Sequence, residues 1–323
     1  MTPMRRSQLA QPGFLLGVAL TLASCGPKAK DPPAPTSSPS AAAVQTVAAP
    51  SATASTEAGP KTRGVAGGAD VCGAIACTLH DSPEDAFRAV LEREPRILAV
   101  GESHAPAGAT VPSVTQRFTR QLLPLAQSRA THFVLELWAV DPRCNQPAQK
   151  AAIKAVASAS KEITATQAQS NQGEFLALYQ AAKVAGLMPQ LLTPDCADYT
   201  RLADAGVSDV DLMLSLIASR TGTMLAGITQ DPRAMVIAYG GAVHNDVTPR
   251  PGREQWSFGT KFNAEGSVKY IELDLVVPEF IGDSPAWKSQ AFFEHYKAGA
   301  QGKKTVLYAH GPRSFTLVFP PKS

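Results

Sequence analysis

From about residue 71 onward, short runs of consecutive apolar residues alternate with longer stretches whose apolar positions recur at helical spacing. Ser82-Pro83-Glu84-Asp85 combines an N-cap with proline at the first helical position, and predicts a helix to about residue 93. The apolar run at 97–100 predicts a buried strand. Residues 114–127 read as helix, and 132–138 (HFVLELW) is rich in strand formers. Helices are predicted over 147–159, again opened by a proline, and over 174–185, with a weak strand at 189–193. A long apolar-periodic helix follows at 209–228, then a buried strand at 234–239 (AMVIAY). Strands at 268–276, 305–308 and 315–319, and a helix near 286–296, complete the pattern. This alternation predicts an α/β fold with a mostly parallel central sheet flanked by helices.

The N-terminal residues follow a different logic. Arg5 and Arg6 precede a short apolar stretch at 14–22 (FLLGVALTL), which ends in Leu22-Ala23-Ser24-Cys25. At about 1.5 Å per helical residue, that stretch reaches roughly half of a ~30 Å hydrocarbon core and is too short to span it. It is read as a signal peptide over 1–24. The tetrapeptide resembles the lipobox of bacterial lipoproteins, which implies cleavage before Cys25 and a lipid on its thiol. Gly26, not Asp, follows the cysteine, so the expected place is the bacterial cell envelope at the outer membrane. Residues 25–70 are dominated by Pro, Ala, Ser and Thr, bury too little to offset ordering entropy, and are expected to be a disordered tether. Residues 71–323 are then one α/β domain with enough chain for a substantial core.

Composition changes little in this picture. The chain is 44% hydrophobic and 18% charged, an ordinary globular mixture. Loss of Arg5 and Arg6 with the signal lowers the net charge from +3 to +1, and no later cluster of Lys and Arg supports a nucleic-acid partner.

The chemistry gathers at strand ends. The run at 97–100 leads into Gly101-Glu102-Ser103-His104, and the run at 133–135 into Glu136. The strand at 191–193 leads into Asp195, and the strand at 235–239 into Gly240-Gly241-Ala242-Val243-His244-Asn245-Asp246. Ligands of open α/β sheets bind outside the carboxyl ends of the strands, so parallel neighbours would bring these features to one rim. Each also has a plainer reading. His104 and His244 suit a turn after a strand, Glu102 a solvated loop, and Asp195 a helix N-cap. Glu136, flanked by Leu135 and Leu137, is expected to be partly buried and therefore paired, coordinated or protonated; a structural salt bridge to an arginine such as Arg220 would suffice.

Gly101-Glu102-Ser103-His104, Glu136 in an apolar strand, and Gly241-Ala242-Val243-His244 together resemble the paired GxxH motifs and intervening Glu of the ChaN/Tiki superfamily. That group takes in ChaN-like haem-binding lipoproteins, TraB/Tiki proteins and, more distantly, erythromycin esterases. Residues 177–195 resemble the family's helix-glycine-strand-Asp segment, and 220–224 its Arg-x-x-x-Met helix. The match runs over 97–246, and the GExH form is most similar to the ChaN branch.

The resemblance implies a divalent ion (Zn, Mn, Co or Fe) among His104, Glu136 and His244, with Glu102 as general base. Arg220 or Asn245, and Asp195, would be supporting residues. Two functions follow from it. One is a metal-dependent hydrolase of a peptide, ester or amide bond; the other is a haem- or iron-binding lipoprotein without turnover. The ChaN haem ligand is a tyrosine, and no tyrosine here matches it by motif.

With Cys25 lipidated, four cysteines remain for an oxidising compartment. The expected pairs are Cys72–Cys77 and Cys144–Cys196, one of three possible pairings.

Overall fold

The computed structural model describes residues 20–21, 72, 75–205, 209–264, 267–299 and 302–322. Cys25 and the 25–70 segment lie outside them. The strands are β1 (Leu20–Thr21), β2 (Ala76–His80), β3 (Ile97–Glu102), β4 (His132–Ala139), β5 (Met188–Leu192), β6 (Val236–Gly241), β7 (Tyr270–Val276), β8 (Thr305–Ala309) and β9 (Ser314–Val318). They form one mostly parallel sheet in the order β1-β4-β6-β3-β7-β9-β8-β2, with β5 also paired to β4. β8 runs antiparallel to both β9 and β2. β1 falls in the stretch that the signal-peptide reading removes.

Local chemistry sets the helix starts. Ser82 caps α1 (Pro83–Leu91) by accepting the Asp85 N–H, with Pro83 where its missing donor costs nothing. Asp209 caps α7 (Val210–Ile228) by accepting the Leu212 N–H. Between them lie α2 (Val114–Arg117), a π turn (Phe118–Leu122), α3 (Leu123–Ala126), α4 (Pro147–Ile163), α5 (Asn171–Val184) and α6 (Cys196–Asp204). β2 and α6 are additions to the predicted pattern. The helix expected near 286–296 is two short ones, α8 (Pro285–Lys288) and α9 (Phe293–Lys297). No helix among the described residues is long and apolar enough to cross a membrane.

The strands at the centre of the sheet are buried on both faces, which explains their unbroken apolar runs. Alternate residues divide between two cores. Leu98, Val100, Phe133, Leu135, Ile237 and Tyr239 pack on one side with Phe118; Ile97, Ala99, Val134, Val236 and Ala238 pack on the other with Trp138 and Ile217.

Strand order is what builds a site. β3 and β6 are parallel neighbours with Gly101 opposite Gly240 and Glu102 opposite Gly241. β4 lies parallel on the far side of β6, with Leu135 opposite Tyr239. The chain thus leaves β3 for β4, returns to insert β6 between them, and then moves to β7 on the other side of β3. That reversal is a topological switch point, the place where open α/β sheets leave a crevice at their carboxyl edge.

Both expected cysteine pairs stand at disulfide distance. The Cα atoms of Cys72 and Cys77 are 5.9 Å apart, and those of Cys144 and Cys196 are 5.3 Å apart.

Candidate functional site

Glu102, His104, Glu136 and His244 meet at this carboxyl edge and are all nearly withdrawn from solvent, at 3%, 2%, 4% and 2% exposure. Glu102 ends β3 pointing into the core. One of its oxygens lies 2.5 Å from His104 Nδ1. The other accepts the Thr115 hydroxyl at 2.5 Å and the Tyr239 hydroxyl. A carboxylate can only accept, so His104 donates through its Nδ1–H, and Nε2 is the ring nitrogen left for another partner. Burial, followed by the charge of Glu102, pushes the Tyr239 phenol well above its ordinary pKa and keeps it a donor.

The loop that carries His104 away is pinned by its backbone. Ala105 O accepts the Ala168 N–H and the Asn171 side-chain amide, and the Ala107 N–H donates to Thr166 O.

His244 is fixed from its outer side. Its Nδ1–H donates to Trp256 O at 2.7 Å, and Phe258 N–H and the Ser257 hydroxyl both donate to its carbonyl. Nε2 then faces Glu136 Oε1 at 3.4 Å. Burial draws the His244 pKa down, but the Glu136 carboxylate and the Trp256 carbonyl together outweigh it and leave it raised. Glu136 Oε2 accepts the Gly241 N–H at 2.8 Å.

Two glycines make the approach possible. A Cβ on Gly240 would stand 2.1 Å from Glu136 Oε2, so any side chain there would evict the carboxylate. A Cβ on Gly241 would lie 3.4 Å from His104 Nε2, 3.8 Å from His244 Cδ2 and 3.9 Å from Glu136 Oε2. The three groups therefore surround the same backbone position. Beside it is a cavity of about 10 Å³ bordered by Glu136, Gly241, His244 and Asn245, room for one water-sized ligand.

Two acceptors at this point have no hydrogen-bond partner: His104 Nε2 and Glu136 Oε1. An unsatisfied buried polar atom costs on the order of 1–3 kcal/mol, and two facing one glycine mark a place built to receive something. Imidazole nitrogen and carboxylate oxygen suit a divalent transition ion in kind. Among the described residues no three His, Cys, Asp or Glu side chains are grouped closely enough to hold a metal. The fit to an ion therefore rests on donor chemistry and not on spacing.

Asn245, expected in support, donates to Ala99 O and Asp274 while its own Oδ1 stays buried and unpartnered. Arg220 and Asp195 are elsewhere. Asp195 is the N-cap of α6, accepting the Asp198 N–H, and Arg220 pairs with Asp195 at 2.5 Å and with Asp198. Among the described residues no hydrogen bond or ion pair joins either to His104, Glu136 or His244, so the plainer reading of Asp195 holds and Arg220 is not the partner of Glu136. Thr115, Tyr239 and the Trp256 carbonyl are the contributors that motif reading passes over. Tyr239 had one signal, its place just before Gly240-Gly241 in an otherwise aliphatic strand.

A larger cleft of about 380 Å³ is lined by Ser103 and His104 together with Glu272, Asp274, Ser314 and Thr316.

No known family matches the chain, and no curated protein matches it. Among solved structures it is similar to the type III effector HopBA1, with 12% identity, a TM-score of 0.38, and coverage of 77% of this chain and 99% of that one. A likeness at that level assigns neither fold family nor activity.

Proposed function

We propose that the chain is a lipid-anchored envelope hydrolase that cleaves a peptide, ester or amide bond at the His104–Glu136–His244 centre. The observation that carries this reading is the pair of unsatisfied acceptors, His104 Nε2 and Glu136 Oε1, buried against Gly241. Among the described residues, Glu136 Oε1 has only the 3.4 Å ion pair with His244 beside it and no hydrogen bond, and His104 Nε2 has neither. The resemblance of the two GxxH segments and Glu136 to the ChaN/Tiki superfamily supports the same reading.

The roles follow from the hydrogen bonds. Glu102 is spent on His104, Thr115 and Tyr239, and acts by holding the His104 tautomer, not as the base itself. His104 Nε2 accepts a proton from the attacking water, within reach of a carboxylate held by the Gly241 N–H. Of the three residues expected to hold a divalent ion, Glu136 and His244 would do so while His104 Nε2 keeps its lone pair for the proton, and the ion when bound would lower the pKa of its water toward neutrality. The resemblance of residues 22–25 to a lipobox supports a position at a membrane surface.

The test is metal analysis of the purified protein together with hydrolysis of p-nitrophenyl esters and a peptide nitroanilide. His104→Ala and His244→Ala are each expected to abolish turnover, with the double variant little worse than either single, since both act on one site. A wild type that cleaves nothing, yet shows a Soret band with haemin that survives both substitutions, replaces the hydrolase by a haem carrier.

A further inference from the structure

We infer that the 380 Å³ cleft beside His104 is the substrate's seat and selects a substrate bearing a positively charged amine, held at Asp274 and Glu272. This deepens the hydrolase reading and rests on it for the position of the scissile bond.

The cleft begins where the proposed centre ends, with Glu102, Ser103 and His104 on one wall. Its volume lies in the range of small-molecule sites. The Ser103 hydroxyl oxygen is buried with no partner. So is Nε2 of His104, which is itself 2% exposed.

The floor is the unusual part. Glu272 and Asp274 stand two residues apart on β7 and so project from the same face of the sheet, opposite Ser314 and Thr316 of β9. Their hydrogen-bond partners are neutral. Glu272 accepts the Val247 N–H and the Ser314 hydroxyl, and Asp274 accepts the Asn245 amide. Asp246, on the same wall, accepts the Thr248 N–H. None of the three forms an ion pair among the described residues, whereas Asp195 and Asp198 share Arg220, and Asp283 pairs with Lys288 and Lys297. Two carboxyls side by side in a desolvated floor repel each other and are stabilised by a cation placed between them.

Arg250 and Arg253 also border the cleft, as does His310. Arg250 bonds the Ser289 hydroxyl, Arg253 stacks on Trp256, and His310 is bonded to Thr316. The charge of Arg250 also acts on Asp246, whereas no positive side chain among the described residues acts on Glu272 or Asp274, and those two carboxyls are left for the ligand. An ammonium is the group that fits, since its three donors match carboxylate and hydroxyl acceptors.

The probes are Nα-acetyl-L-lysine methyl ester and Nα-acetyl-L-norleucine methyl ester, which differ in the ammonium group. The wild type is expected to favour the lysine ester in kcat/KM by about tenfold or more, the size of one charge-assisted hydrogen bond. Asp274→Asn and Glu272→Gln, each checked for cooperative melting, should bring that ratio close to one.

Calorimetry of both esters on the His104→Ala variant reads the cleft apart from turnover. Tighter binding of the lysine ester there supports the cleft even if no ester is cleaved, in which case only the hydrolase reading fails. Equal binding of the two esters, or a preference that survives both floor substitutions, overturns the inference.

Discussion

Replacing Glu102 by glutamine separates the tautomer that Glu102 imposes from the fold that it helps to build. The wild-type carboxylate receives three donors, from His104, Thr115 and Tyr239. Glutamine has nearly the same shape but offers one acceptor and one donor group. The two hydroxyls can turn to suit it, because each can accept as well as donate; where the amide nitrogen faces the ring, the imidazole can follow only by moving its proton from Nδ1 to Nε2. Three charge-assisted bonds become neutral ones at a loss of about 1 kcal/mol each. Relief of the desolvation of a buried carboxylate, itself several kcal/mol, works against that loss. The net change in unfolding free energy is therefore expected to stay within about 2 kcal/mol. Turnover should suffer far more. A histidine base in the wrong tautomer has lost its lone pair where it is needed, and a fall of roughly 10²- to 10⁴-fold in kcat is expected. Nitrogen-15 chemical shifts of the His104 ring, with a urea titration and ester kinetics on the same samples, measure all three quantities. The wild type should show a protonated Nδ1 and the variant a substantial population protonated on Nε2. A variant that keeps the wild-type tautomer and more than about a tenth of the wild-type kcat refutes the assignment of Glu102 as the residue that positions His104.

Gly240→Ala puts a methyl 2.1 Å from Glu136 Oε2 and is expected to destabilise by about 1–3 kcal/mol, whereas Gly241→Ala meets nothing closer than 3.4 Å and should melt like the wild type while losing turnover; melting curves and ester kinetics tell them apart. Loss of the Cys144–Cys196 pair, which closes a separation of 52 residues, should cost up to about 4 kcal/mol by loop entropy, read as a urea midpoint shift in Cys144→Ser with Cys196→Ser. Burial, with the field of Asp246, lifts the Asp274 carboxyl to about 7, so its contribution is fully present below about pH 4 and is lost as the pH rises toward 7. Asp274→Asn should accordingly flatten the fall in stability between those limits, and a parallel pair of curves would refute that sign. Cys25→Ser should release the protein from the membrane fraction or block its processing, and unchanged fractionation on immunoblots would count against the anchor.

The sequence by itself determined the local elements, because caps and periodicity are short-range. Ser82 with Pro83, Asp209 and the apolar runs at β3, β4 and β6 are signals that act within a few residues. It also showed that histidines and carboxylates follow those strands. β2 was missed because a short edge strand exposed on one side carries little apolar pattern, and α6 was signalled only by the reading of Asp195 as an N-cap, because its short, polar sequence has little apolar periodicity.

Only the tertiary structure decided who neighbours whom. Periodicity describes one strand at a time, whereas the insertion of β6 between β3 and β4 is a pairing across more than a hundred residues of chain. That pairing brings Gly240 and Gly241 against Glu136 and sets His104 and His244 about Gly241. It also decided where each charge goes. Arg220 turned to Asp195 and Asp198, and Glu102 to Tyr239 and Thr115, because a buried polar group takes the partner that the packing brings within about 3 Å. No linear spacing encodes that choice, so the residues of the centre were legible in the chain and their division of labour was not.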